Sequence, residues 1–250
     1  MGVSAPSAAT ANGLSTVVDT IAAPGEAFER QRTAPTWGWA LIIAVVLMLI
    51  GAYLQGPAAR HVAVVSTQKM VSTSTLFANQ TDAQKQQIVE RAGKPNVFSY
   101  VAPLIALFIA VFFNTIILLL GNAVGRGQAD FKRLWCGSMN IAVPTLGLGA
   151  LVLGAITMVR GADSFDSSLA LAQAVPSLGM LATHTSAVTA AFLSGISVFT
   201  LWGFFLNSTM MRVTAKTSAP VAYAFAAIVL VLGALFAAGG VAFAHSFGAA

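Results

Sequence analysis

Charge is what this sequence has least of. Only 8% of its 250 residues are Asp, Glu, Lys or Arg, against about 25% in an ordinary soluble domain. With 57% hydrophobic residues, too few ionic groups remain to clothe a water-facing surface, and the apolar excess must face lipid. Cysteine is nearly absent as well. A single Cys136 can form neither an internal disulfide nor a metal cluster, and in its apolar run it reads as a small packed hydrophobe. The net charge of +5 comes without a dense Lys/Arg cluster interleaved with aromatics, which excludes a nucleic-acid groove. The first 36 residues hold no apolar core of the kind a secretory signal needs, so the first apolar run must serve as its own insertion signal.

Five uncharged runs are long enough to cross a hydrocarbon layer of about 30 Å, which takes about 20 helical residues. They are Trp37 to Leu54, Phe98 to Leu120, Trp135 to Val159, Ser186 to Leu206 and Ala219 to Ala244. Backbone polar groups in lipid must be satisfied within the segment, and no regular alternation suggests a barrel, so these runs are helices. The predicted fold is an all-α integral membrane protein, a bundle of five transmembrane helices over residues 37–250. Trp37, Trp39, Tyr100, Trp135 and Trp202 fall at or near span ends, where amphipathic rings favour the interface.

Residues 1–36 read as a tail. Its small-residue start predicts disorder to about Asn12, and Thr20 to Arg32 can form a short interfacial helix around Phe28, the plainer alternative being a solvated tail. Between the first two spans lie 43 residues, Gln55 to Val97, helical in two pieces. In the second, Thr81 can N-cap, Gln84 completes a capping box, and Gly93 followed by Lys94-Pro95 stops the helix. The expected product is an extramembrane helical hairpin. The connection from Arg160 to Thr185 carries an apolar segment, Leu169 to Val175, that is too short to span and should lie along the interface or over the bundle. Over all connections, Lys and Arg divide 7 against 6 between the two sides. Long segments translocate despite charge, and without the 43-residue loop the division is 7 against 1. That places the N-terminus inside and the C-terminus outside.

None of the five runs contains Asp, Glu, Lys or Arg, which disfavours a proton-coupled transporter or an intramembrane acid/base enzyme. Among the polar groups that remain, Asn114 and Asn140 should face the bundle as interhelical hydrogen-bonding groups, worth about 0.6 kcal/mol each; a permeation site is the sharper alternative. Ala187, Ala191 and Gly195, and later Ala234 and Ala238, recur at four-residue spacing and place small side chains on one helix face. Such a face serves close packing within the bundle or an interface with another chain. Pro144 should kink the third span.

Candidate chemistry elsewhere is thin. Ser194-Gly195 with His184 lacks an oriented third member for nucleophilic catalysis. Asp163, Asp166 and His184 are too loosely spaced for a metal site. Gly121, Gly125 and Gly127 lack the strand and the Lys-Ser/Thr of a phosphate-binding loop. No catalytic, metal or cofactor site is expected. Arg126, Lys132 and Arg133 would stand beside the inner leaflet, where anionic headgroups gain about 1 kcal/mol per basic residue; the alternative is a topology signal alone.

Short patterns in order carry a resemblance. They are Pro24-x-x-x-Phe28 followed by Thr33-Ala34-Pro35-Thr36-Trp37, then Gly127-x-x-x-Phe131-Lys132 leading to Ala142-x-Pro144. Phe199-x-x-Trp202 and Ala215-Lys216-Thr217 follow them. In these the chain resembles the Yip domain family, five-span membrane proteins best known in eukaryotes as partners of Rab-type GTPases, with many bacterial members. Two departures stand out: Ser197 occupies a place where an acidic residue is expected, and the acidic cytosolic motif of eukaryotic members has no counterpart. The resemblance therefore implies architecture and an organising, non-enzymatic character rather than a trafficking role. The expected function is a membrane organiser or accessory subunit that binds other membrane proteins or itself in a prokaryotic inner membrane. The alternative is a passive channel, carrier or lipid-handling protein, whose signature is a continuous polar track through Asn114, Asn140 and Ser197.

Overall fold

A computed structural model describes residues 12–182 and 184–246; the disorder expected before Asn12 lies outside the described residues. Within them the chain is helical and forms no strand. The tail does not lie free. Asn12 caps α1 (Gly13–Ala22), its side chain accepting from the Leu14 N–H at 3.2 Å, and Pro24 opens α2 (Pro24–Thr33), a position that needs no N–H. An ion pair between Arg30 and Asp19 joins the two helices. Val17, Thr20, Ala27, Phe28 and Gln31 are buried, so the helix around Phe28 is the second member of a helix pair docked on the bundle.

The first apolar run does not end at Leu54. It continues as α3 (Gly38–Thr73) through Pro57, because packing outweighs the one hydrogen bond that the proline removes. Immediately past the run, the beginning of that extension is held by Gln55, whose Nε2 donates to the Ala150 carbonyl at 3.1 Å. Further on, Ala58 and Val62 build a small core with Phe165 and Ala174. The capping box read from Thr81 and Gln84 opens α4 (Asp82–Ala92), with reciprocal bonds of 2.9 and 3.3 Å. Gly93 follows it against Val64 of α3, leaving 3.0 Å where a Cβ would stand.

α5 (Phe98–Val124) and α6 (Phe131–Arg160) are the next two long helices. Pro144 does not break α6. The turn Val143–Gly147 widens to the π form, with the Leu148 N–H reaching back to the Val143 carbonyl, so the ring is absorbed by a local bulge. The connection that follows folds over the bundle through α7 (Ser168–Ala172) and buries Phe165, Ala174 and Val175; Arg160 lies 4.7 Å over the Phe165 ring.

The fourth run is not one helix. It divides into α8 (Ala187–Ser194) and α9 (Val198–Val213). Between them the backbone turns extended and exchanges bonds with the preceding connection: Leu178 N–H to the Ile196 carbonyl at 3.0 Å, and Val198 N–H to the Pro176 carbonyl at 3.1 Å. Ser197 then caps α9, its hydroxyl accepting from the Thr200 N–H at 3.3 Å. With α10 (Ala219–Ser246) last, four described helices are long and apolar enough to cross a membrane: α3, α5, α6 and α10, the last over Ala219–Phe243.

Glycines set the crossings. A Cβ at Gly51 would lie 2.5 Å from the Ala150 carbonyl oxygen, and one at Gly154 only 2.9 Å from the Gly51 oxygen, so α3 and α6 touch backbone to backbone. Gly195 meets the Ala234 Cα at 2.6 Å in the same way, and Ala191, Ala234 and Ala238 are buried. Ala187 is half-buried one turn ahead of Ala191. These small residues pack α8 against α10.

Candidate functional site

Two places in the fold gather polar groups. The first is the end of the bundle that carries the turns after α5 and after α9. Asn122 holds the first turn: its Nδ2 donates to the Ala129 carbonyl at 2.9 Å and its Oδ1 accepts from the Ala129 N–H at 3.2 Å. Gly127 fits beneath, where a Cβ would stand 2.2 Å from that Oδ1 and 2.7 Å from the Ala215 carbonyl of the second turn. Gln128 N–H completes the join, donating to the same Ala215 carbonyl at 2.7 Å. The glycine and the following basic residues are therefore parts of one built corner.

Onto this corner docks the α1–α2 pair. Phe28 is fully buried in the largest core, with Leu118, Leu134, Leu206 and Met210, and Thr214 donates its hydroxyl to the Phe28 carbonyl at 2.8 Å. Arg133 Nε donates to the Arg32 carbonyl at 2.8 Å, giving a cationic partner to one of the orphan carbonyls at the end of α2. The Thr36 carbonyl accepts from Gln31 Nε2 at 2.9 Å and from Asn140 Nδ2 at 2.8 Å. Glu29 bonds to Arg32 and faces Lys216 at 3.4 Å. The Arg32 hydrogen bond holds the Glu29 carboxyl below its usual range, against the smaller opposing effect of burial and with further help from the nearby Arg32 and Lys216 charges.

Of the three cations expected at this end, Arg133 is committed to Arg32 and to Asp130 at 3.6 Å. Arg126 and Lys132 are exposed. Arg126 occupies the left-handed region at φ 51°, a conformation that disfavours any side chain larger than glycine.

The second place lies inside the bundle. Asn114 Nδ2 donates to Ser138 Oγ at 2.8 Å and to Asn207 Oδ1 at 3.1 Å, tying α5, α6 and α9 together. Asn140 belongs to a separate network, with Cys136 and Thr36, and Ser197 spends its hydroxyl on the α9 cap. The three residues of a polar track thus have three different sets of partners. Asn207 and Ser138 escaped the sequence reading; Asn207, seven residues before the Thr214 that closes the helix, had no local pattern to single it out.

The remaining candidates are dispersed. Ser194 donates to the Ala190 carbonyl at 2.7 Å and packs on Gly179, while His184 is exposed. Asp163 and Asp166 face His61 of α3, at 3.4 and 3.9 Å, rather than His184. Among the described residues no group of three His, Cys, Asp or Glu could hold a metal ion.

The sequence pattern of the Yip1 domain matches residues 18–240. The chain is also similar to membrane protein YknW of Bacillus subtilis, with 27% identity over 199 residues that cover 79% of this chain and 78% of that protein. No solved structure matches.

Proposed function

The chain belongs to the Yip1 domain family, and on that premise we propose that it is a non-enzymatic organiser or accessory subunit that binds other membrane proteins. The observation that carries this reading is the corner just described. An amino-terminal helix pair, two interhelical turns and the start of α6 are fastened by side-chain bonds from Thr214, Arg133 and Asn140 to three carbonyls of residues 28–36. Such a rigid polar face on an otherwise apolar bundle suits docking, because little ordering entropy is lost when a partner lands on it.

The proposed topology has five crossings. α8 and α9 together run from Ala187 to Val213 and make the fourth as a discontinuous helix, with the corner inside and the α3–α4 hairpin outside. A prokaryotic inner membrane is the proposed location, the distribution of basic residues supporting the N-terminus inside. Asn114 and Asn140 serve as packing groups in this reading, and Lys132 and Arg126 are left free for partners or anionic headgroups.

Photocrosslinkers at Lys132 in native membranes test the docking role. A discrete membrane-protein adduct should form and should be lost in a Phe28→Ala variant that still elutes as a folded species. Solute flux in reconstituted vesicles that vanishes in Asn114→Leu, with the folded fraction unchanged, would overturn the organiser in favour of a channel or carrier. Single cysteines at Ser7 and Ala250 in a Cys136→Ala background should label from opposite sides of sealed vesicles; labelling from one side would reject the five-crossing topology.

A further inference from the structure

Between α5, α6, α9 and α10 lies a cavity of about 490 Å³, within the range of small-ligand sites. Its rim includes Ile109 and Phe113 of α5 and Leu232 and Phe236 of α10, all exposed on the apolar flank of the bundle. The Phe113 and Phe236 rings stand 6.4 Å apart. Toward the corner, α5 and α10 close on each other, since a Cβ on Gly121 would strike the Phe225 ring at 2.5 Å. The cavity therefore opens sideways, toward the lipid that surrounds the spans.

Its lining carries no charged residue. Of its hydroxyls, Thr145 is given to the Ile141 carbonyl and Thr200 to the carbonyls of Gly195 and Ser197. What remains polar is the Asn114, Ser138 and Asn207 cluster, on the wall made by α5, α6 and α9. Within that cluster Asn114 Oδ1 is buried and has no donor among the described residues. In a low-dielectric interior an unmatched acceptor is costly. The last side-chain torsion of an asparagine is soft, so the Asn114 amide can turn within the cluster, exchanging one of its Nδ2 bonds to Ser138 or Asn207 for exposure of Oδ1 to the cavity.

From this geometry we propose that the cavity is a lateral binding site for a single lipid chain with an uncharged hydroxyl head, the head donating its hydrogen to Asn114 Oδ1. A charged headgroup is excluded because the lining offers no counter-ion, and burying a charge unpaired is prohibitive. A head that only accepts, such as an ether or an ester, leaves the Asn114 oxygen as it was. The site is independent of the docking role proposed for the corner: docking is read at Lys132 and Phe28, lipid binding at Asn114 and Gly233.

The test uses the full chain in nanodiscs and a diazirine-bearing long-chain alcohol, with the methyl ether of the same chain as its counterpart. The alcohol should crosslink to peptides containing residues 106–117 and 229–236, and should do so roughly five-fold more than the ether, the discrimination that a net hydrogen bond of about 1 kcal/mol supplies. Asn114→Leu should remove that preference. Gly233 lines the cavity and has open space at its Cβ, so Gly233→Phe should block labelling without disturbing the fold. The unmodified long-chain alcohol should compete and phosphatidylglycerol should not. Equal labelling by alcohol and ether, equal competition by phosphatidylglycerol, or labelling that Gly233→Phe leaves unchanged in a normally folded protein would each overturn the proposal in favour of ordinary bilayer chains.

Discussion

Thr214, at the end of α9, gives its hydroxyl hydrogen to the backbone carbonyl of Phe28 in α2 at 2.8 Å, and both residues are buried. Thr214→Val keeps the shape and removes that one bond. The expected loss is about 1 kcal/mol, read as a lower melting midpoint and as faster amide exchange confined first to residues 13–33. Phe28→Ala should cost more, about 3–5 kcal/mol, because it also opens a cavity in the largest core. A Thr214→Val protein with unchanged exchange in α2 would show that this bond does not hold the helix pair.

The crossing of α3 and α6 tolerates no side chain at its centre. Gly51→Ala should destabilise by about 1–3 kcal/mol through overpacking against Ala150. Gly239 has open space around its Cβ, and the same change there should be neutral or slightly stabilising. Comparing the two melting midpoints separates close packing from a general effect of helix glycine.

Glu29 supplies a pH dependence whose sign is fixed. Its carboxyl is held below the ordinary value in the folded protein. Its contribution is therefore complete above the unfolded pKa of about 4.3 and fades as pH falls through the lower folded value. Glu29→Gln should lower the melting midpoint slightly at neutral pH, by under about 1 kcal/mol because the pair is partly exposed. Wild type and variant should converge in acid. Divergence that grew with acidity would contradict the assignment.

Arg126 sets stability against a role. Arg126→Gly relieves the left-handed backbone at φ 51° and should stabilise by about 1 kcal/mol. If the side chain meets anionic headgroups, the same change should cut the phosphatidylglycerol retained on the purified protein roughly five-fold, the equivalent of about 1 kcal/mol per basic residue. Stabilisation with unchanged lipid retention would leave Arg126 as a topology signal.

What the sequence disclosed was local. Thr81 and Gln84 stand three apart, so their capping box was legible in the letters, as was the helical character of every apolar run. Nothing in the letters Gln55-Gly56-Pro57 showed that the helix of the first run would pass straight through them. Its continuation depends on Phe165, more than a hundred residues away. The break at Gly195–Ser197 left no trace in hydropathy, since both flanks are apolar and the segment it bonds to is Pro176 to Leu178, in the preceding connection. Asn140 is buried, and its partner, the Thr36 carbonyl, lies in what had been read as a tail. Asn114 was singled out for its polarity in an apolar run. Ser138 and Asn207, which complete its cluster, sit among other small or polar residues and carried no comparable contrast.

The Thr214 to Phe28 bond also dictates an order of events during synthesis. The two residues are 186 positions apart, and a ribosome adding about 5–20 residues per second needs roughly 9–40 s to travel between them. Throughout that interval α2 has no Thr214 to bond to, and the Leu206 and Met210 side chains that will enclose Phe28 have yet to be made. The first helices translated are thus among the last to be secured, and the amino-terminal segment reports completion of the fourth apolar run. A chain truncated before residue 198 would lack Leu206, Met210 and Thr214 around Phe28, leaving that side of α2 uncovered in a form that quality-control proteases can read as unfinished.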